Sequence, residues 1–234
     1  MHILKKGEIK LGKCVLIMGE SGSGKSASLR NFEQNEISIF NVTNKDLPFR
    51  KKPKLPMINN ATYADIASHL AKPNKRAYVI DDAGYLLSFE LFQRANETGY
   101  SKFTDMAKNF FDMLNFINTQ LPDDIIVYIT MHTEDDSEMH KVKAKTIGKM
   151  IDQNLKLEGL FTIVLRAMQT EDGYKFITRD DRVSTAKSPM GMFETDMIDN
   201  DLKEVDRIIR EYYEMAPLVD NKKSTSKKTE NKEK

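Results

Sequence analysis

Four short apolar runs, at residues 15–18, 37–40, 77–80 and 125–130, have the length and composition of strands buried on both faces. Between them the periodicity changes. Phe103, Met106, Ala107, Phe110, Phe111, Met113, Leu114 and Ile117 recur at helical spacing and predict a long amphipathic helix. Thr62-Tyr63-Ala64-Asp65 resembles a capping box and predicts a helix reaching about Ala71. Residues 161–167 and 174–178 read as two strands joined through Glu171-Asp172-Gly173, where Asp-Gly is a strong hairpin signal. Leu202, Val205, Ile208, Ile209 and Tyr212 mark a last helix, which stops before Pro217.

The remaining segments are less patterned. Residues 1–12 predict a short lead-in strand. Residues 41–60, with Pro48, Pro53 and Pro56, read as loop, residues 132–145 as a polar stretch, and residues 146–154 as a helix. Strands alternating with helices predict an α/β fold, a mostly parallel sheet with helices on both faces and a C-terminal β-hairpin. In such sheets ligands bind beyond the carboxyl ends of the strands, so polar residues just after strands carry the most information.

Composition narrows this picture only slightly. With 234 residues, 40% hydrophobic and 30% charged, the chain is an ordinary globular sequence. We expect one domain over residues 1–217 and a disordered Lys/Ser/Thr-rich tail over 218–234, since residues 220–234 contain no apolar side chain. There is no apolar run near membrane-spanning length, no signal-peptide pattern and a single cysteine, Cys14, just before the first strand. The expectation is a cytoplasmic protein with no membrane partner. The net charge of +1 argues against coating nucleic acid by bulk charge but leaves room for local patches, such as Arg50–Lys54 and Lys141, Lys143 and Lys145.

The chemistry is concentrated after the first apolar run, where Gly19-Glu20-Ser21-Gly22-Ser23-Gly24-Lys25-Ser26 is followed by Ala27, Ser28 and Leu29 opening a helix. This is G-x-x-x-x-G-K-[ST] with a strand before and a helix after, a pattern whose four fixed positions arise by chance in roughly one chain in a hundred of this length. Glycines let consecutive N–H groups turn inward on phosphate oxygens, Lys25 reaches the β- and γ-phosphates, and Ser26 ligates Mg²⁺. The motif implies that residues 19–27 bind a nucleoside triphosphate, with ATP and Mg²⁺ as cofactors.

Asp81, at the tip of an apolar strand, is what the Mg²⁺ shell requires; its structural alternative is a helix N-cap. Asp82 is placed to orient or deprotonate a water, with Glu20 and Asp46 as competitors. His132, after the fourth run, can sense the γ-phosphate by hydrogen bond or as an imidazolium, or be an ordinary loop histidine. Glu134-Asp135-Asp136 reads as a solvated loop rather than a second metal site. Lys187, in Ser184-Thr185-Ala186-Lys187-Ser188-Pro189, can reach a neighbouring subunit's nucleotide and act as an arginine finger does, or be a surface lysine.

Several segments in order, namely residues 19–26, Ile80-Asp81-Asp82, Thr130-Met131-His132 and Lys187-Ser188-Pro189, resemble the small phage-encoded P-loop ATPases that keep only the RecA core. Several of these are described as single-strand-annealing recombination proteins. Lys45-Asp46-Leu47-Pro48-Phe49 and the stretch from Tyr100 through Leu121-Pro122 look like the same family, and the likeness covers roughly residues 12 to 195. The resemblance implies a RecA-like core in which the strand bearing His132 lies between the P-loop strand and the strand of Asp81. It also implies a homo-oligomer with nucleotide at the subunit interface, Lys187 acting in trans. It points to a Mg²⁺-dependent ATPase working with single-stranded DNA in phage recombination or replication. Two departures stand out. RecA has a glutamate base after its second strand, where this chain has Asn41-Val42-Thr43-Asn44-Lys45, and no glycine-rich loop matches the DNA-binding loops of RecA. Two alternatives stay open: an AAA+-type accessory ATPase of the helicase-loader kind acting on a protein, and a nucleotide-gated binding module with negligible turnover.

Overall fold

The computed structural model describes residues 12–136, 140–147 and 156–219. The expected lead-in strand and the tail from residue 220 lie outside those residues, as does most of the helix expected at 146–154.

Eight strands form one sheet, mostly parallel. They are β1 (Lys13–Met18), β2 (Ile37–Asn41), β3 (Met57–Asn59), β4 (Ala77–Asp81), β5 (Ile126–Met131), β8 (Ile163–Thr170), β9 (Gly173–Ile177) and β10 (Met197–Asp199). The order across the sheet is β10-β9-β8-β1-β5-β4-β2-β3, with β9 antiparallel to both its neighbours, β8 and β10. The strand ending at His132 therefore lies between the strand feeding Gly19 and the strand ending at Asp81. β4 and β5 are buried along their whole length, because helices cover both faces. That is why their sequences are continuous apolar runs rather than alternating ones. The two edge strands, β3 and β10, are three residues each, which leaves little unpaired backbone.

One face carries α1 (Tyr63–Leu70), α2 (Gly84–Gln93) and α3 (Ser101–Gln120), whose Met106, Phe110, Leu114 and Ile117 pack on Leu16, Ile80 and Ile129. The other carries α4 (Leu202–Tyr212) and Leu29 over Val15, Ile17 and Tyr128. α1 has the expected box: Thr62 accepts from the Asp65 amide while Asp65 accepts from the Thr62 amide. α4 is capped by Asp201, which accepts from the Lys203 and Glu204 amides.

Several elements differ from the sequence reading, the short strand β10 having no counterpart in it. β3 breaks the expected loop over 41–60, pairing Met57 with Ile39 at the sheet edge. α2 had no amphipathic signature because apolar residues run round it: Leu86 and Leu87 are buried while Phe89 and Phe92 face outward. The stretch after His132 is not a solvated loop but a separate two-stranded ribbon, β6 (Thr133–Asp136) with β7 (Lys141–Ala144). It sets an acidic strand against a basic one, with Lys143 paired to Glu134 and Asp136. The helix after the glycine loop, finally, is a 3-10 turn over Ser26–Asn31, ended when Phe32 goes extended into the core. Cys14 lies within β1, buried.

Candidate functional site

The turn leaving β1 is tied to its neighbour, the Gly19 amide donating to the Met131 carbonyl at the end of β5. Gly22 and Gly24 adopt φ of 79° and 97°, the left-handed region that a Cβ disfavours. At Gly24 a side chain would also strike the Tyr174 ring, 2.8 Å away. Lys25, 6% exposed, folds into the loop it follows, its Nζ donating to the Gly19 and Glu20 carbonyls at 2.8 Å each. Burial depresses its pKa, against the pull of Asp82 and Asp81. The Ser23 hydroxyl is buried inside this turn with no hydrogen-bond partner.

Across β5, the Ser26 hydroxyl donates to Asp81, 3.0 and 2.9 Å from its two carboxylate oxygens. Thr130 on the intervening strand donates to Asp81 Oδ1 at 2.8 Å and accepts from the Asp82 amide at 2.8 Å, so one hydroxyl positions both acids. Burial raises the Asp81 pKa, and the adjacent Asp82 raises it further. Asp81 is not a helix cap: α2 begins only at Gly84, after Ala83.

Asp82 turns the chain, at φ 58°, and is surrounded by polar groups. Lys45 Nζ lies 3.3 Å from Oδ2, the Thr43 hydroxyl 3.4 Å from the same oxygen, and His132 Nε2 3.4 Å from Oδ1. Burial and Lys25 hold the His132 pKa below its usual value, with Asp82 acting the other way, so the site favours the neutral ring. Its edge meets the Tyr85 ring at 5.9 Å.

These groups line one cavity of about 220 Å³, bounded by Ser21, Gly22, Gly24, Lys25, Ser26 and Ala27 on one side and Asp81, Asp82 and His132 on the other. Lys45, Asp46, Pro48 and Tyr174 complete it. Glu20 faces an adjoining space of about 340 Å³ that shares Ser21 and His132. Lys187 is not among the residues lining either cavity. It is exposed and bridges β8 through its backbone, exchanging hydrogen bonds with Val164.

The residues fit a Mg²⁺-bound polyphosphate on three counts. The buried Ser23 hydroxyl lacks a partner, Lys25 spends its charge on neutral carbonyls, and the oxygens of Ser26 and Asp81 lie as far apart as adjacent ligands of an octahedral Mg²⁺. Among the described residues no cluster of three or more His, Cys, Asp or Glu forms a separate metal site, Glu134-Asp135-Asp136 included.

Several participants escaped the sequence reading, Thr43 among them. Thr130 had a signal, a hydroxyl near the end of an otherwise buried strand. Lys45, Tyr85 and Tyr174 had none, because they reach the site only through tertiary packing. No family model matches this chain, and no curated protein matches its sequence.

Proposed function

We propose that this chain is a Mg²⁺-dependent ATPase with a RecA-like P-loop core, cytoplasmic and working with single-stranded DNA, akin to the phage-encoded ATPases its motifs resemble. The observation that carries the proposal is the Lys25–Ser26–Asp81 arrangement, a buried cation and a hydroxyl–carboxylate pair at the mouths of β1 and β4.

Bound Mg·ATP would supply the phosphoryl group and the charge-neutralising cation. The chain's own groups do the rest. Amides of residues 20–26 and Lys25 would hold phosphate oxygens, Lys25 giving up its present contacts to the Gly19 and Glu20 carbonyls. Ser26 and Asp81 would hold the metal, with Thr130 fixing the carboxylate. Asp82 takes the water proton, its orientation set by Thr130 below and His132 beside it. The neutral His132 donates or accepts a hydrogen bond at the γ-phosphate end. Lys187, outside its own cavity, acts on a neighbour's in a homo-oligomer.

A second reading has its own support. Asp82 is paired with Lys45 and held beside His132, which damps it as a base and suits a nucleotide-gated binding module with negligible turnover. The helicase-loader reading draws less support, since α4 packs on the core face beside Leu29 rather than as a lid over the glycine loop.

An ATP hydrolysis assay with and without single-stranded DNA separates these. We expect turnover that rises with DNA and falls to background in Lys25→Ala, together with most nucleotide binding. Turnover in that variant equal to the wild type would sink the site assignment. Tight Mg·ATP binding without turnover, DNA or not, would favour the gated module.

A further inference from the structure

The two cationic runs of the sequence meet different fates in the fold. In the ribbon, Lys141 pairs with Asp180, and Lys143 with Glu134 and Asp136. In the segment between β2 and β3, Lys51 is tied to Glu33 and to the Arg30 carbonyl. Its neighbours Arg50, Lys52 and Lys54 are exposed and have no hydrogen bond or ion pair among the described residues. These three cations line a cavity of about 450 Å³ together with Leu47, Phe49 and Met57, each only partly buried, and with Asp46, Lys51 and Leu55. An aromatic ring in one cavity with unpaired positive charge is the combination that takes an unstacked base on the ring and the backbone phosphates on the cations.

We propose that this cavity is a docking site for single-stranded nucleic acid, an inference that rests on the ATPase reading for its purpose but not for its geometry. Charge and shape select the occupant: a polyanion answers the cations, and only one with exposed base faces also answers the apolar lining. Duplex DNA, its bases stacked away, answers the cations alone.

The site adjoins the phosphate cavity. Asp46 lines both spaces, Pro48 lines the phosphate side, and Lys45, one residue earlier, is the cation on Asp82. A strand seated on residues 47–57 therefore bears on the segment that holds Lys45 against Asp82. This is the physical route by which DNA raises turnover.

The test uses the full chain in fluorescence-anisotropy titrations of a labelled oligonucleotide and its duplex, over a series of salt concentrations. In the triple variant Arg50→Gln/Lys52→Gln/Lys54→Gln, single-strand affinity falls at least tenfold and the log–log salt slope flattens by about 2, the counterions of three phosphates. DNA-independent hydrolysis is unchanged, and stimulation by DNA is lost. In Phe49→Leu, single-strand affinity drops about fivefold or more, the lower end of one base stack, while duplex binding holds. Equal affinity and slope in wild type and triple variant would overturn the site while leaving DNA binding elsewhere intact. Loss of duplex and single-strand binding in equal measure would overturn the stacking on Phe49 and leave a plain charged patch. A wild-type chain that hydrolyses ATP but binds no single strand would instead overturn the DNA part of the functional reading.

Discussion

The strands β4 and β5 carry a buried charged cluster at each end, and the two are built on opposite terms. At the amino ends, Arg210 of α4 donates to Asp206, to the carbonyls of Asp124 and Arg76 that precede the strands, and to Ala216, while the Tyr128 hydroxyl donates to Asp206 at 2.9 Å. Every group is answered from within the chain. At the carboxyl ends, Asp81 and Asp82 stand side by side, Lys25 is spent on two carbonyls, and the Ser23 hydroxyl has no partner. Burial pushes both Asp81 and Asp206 up. The next influence on Asp206 is Arg210, which opposes the shift, whereas on Asp81 it is Asp82, which adds to it. The first cluster is a fastening. The second holds like charges together at a cost to folding, which is what a site complementary to an outside cation and polyanion looks like.

The largest expected effect falls on the fastening. Arg210→Ala leaves Asp206 buried and uncompensated, costing about 3–5 kcal/mol, or on the order of 10 °C in Tm for a chain of this size. Thermal unfolding measures it, and a shift of only a degree or two would remove the contrast. Asp82→Asn comes next and acts in the other currency. Turnover drops by about 10² or more, roughly 2.7 kcal/mol of barrier, with Mg·ATP binding retained. Tm stays level or rises, because a repulsion is relieved and asparagine accepts the same backbone. An unchanged rate would move the base to Asp46 or Glu20; a Tm loss matching that of Arg210→Ala would make both ends fastenings.

The smallest effect is a slope with pH. Burial holds the His132 pKa below the ordinary histidine value of 6.5, so as pH falls through that value the unfolded chain takes up a proton before the folded one does. Stability from this group is complete above about pH 7 and is lost as pH falls through 6.5 towards the folded-state pKa, by at most about 1.4 kcal/mol per pH unit. His132→Gln should flatten the Tm–pH curve below pH 7; identical curves would show that the ring is not held neutral.

The two ends also differ in how visible they are along the chain. The glycine loop, Asp81, Asp82 and His132 were legible because each sits at a strand terminus, where a buried apolar run breaks into polar residues. The core strands and α3 were legible for the same reason, continuous runs for the former and a strict helical period for the latter. Arg210 and Asp206 carry no signal in the sequence, since nothing local distinguishes a cation that reaches the carbonyls of Arg76 and Asp124 from one in water. The ribbon was hidden because charge complementarity, not hydrophobicity, holds Glu134 and Asp136 to Lys143. α2 was hidden because Phe89 and Phe92 blur its periodicity. Lys187 shows the limit on the other side: legible as a candidate, it lies along β8, outside the cavity of its own chain.

Asp82 joins β4 to α2 in the left-handed region of backbone space. That geometry restricts the alphabet at this position. Glycine adopts it freely, and asparagine and aspartate readily, because a short polar side chain can hydrogen-bond locally to the backbone, while a glutamate, chemically as good a base and longer in reach, lacks that local bond and would lose on the order of 1 kcal/mol. Of the permitted letters only aspartate can accept a proton, so the corner in the chain, before any chemistry is considered, has already chosen the acid. A mutational scan at this codon would then return a short tolerated list for stability and a single member of that list for turnover.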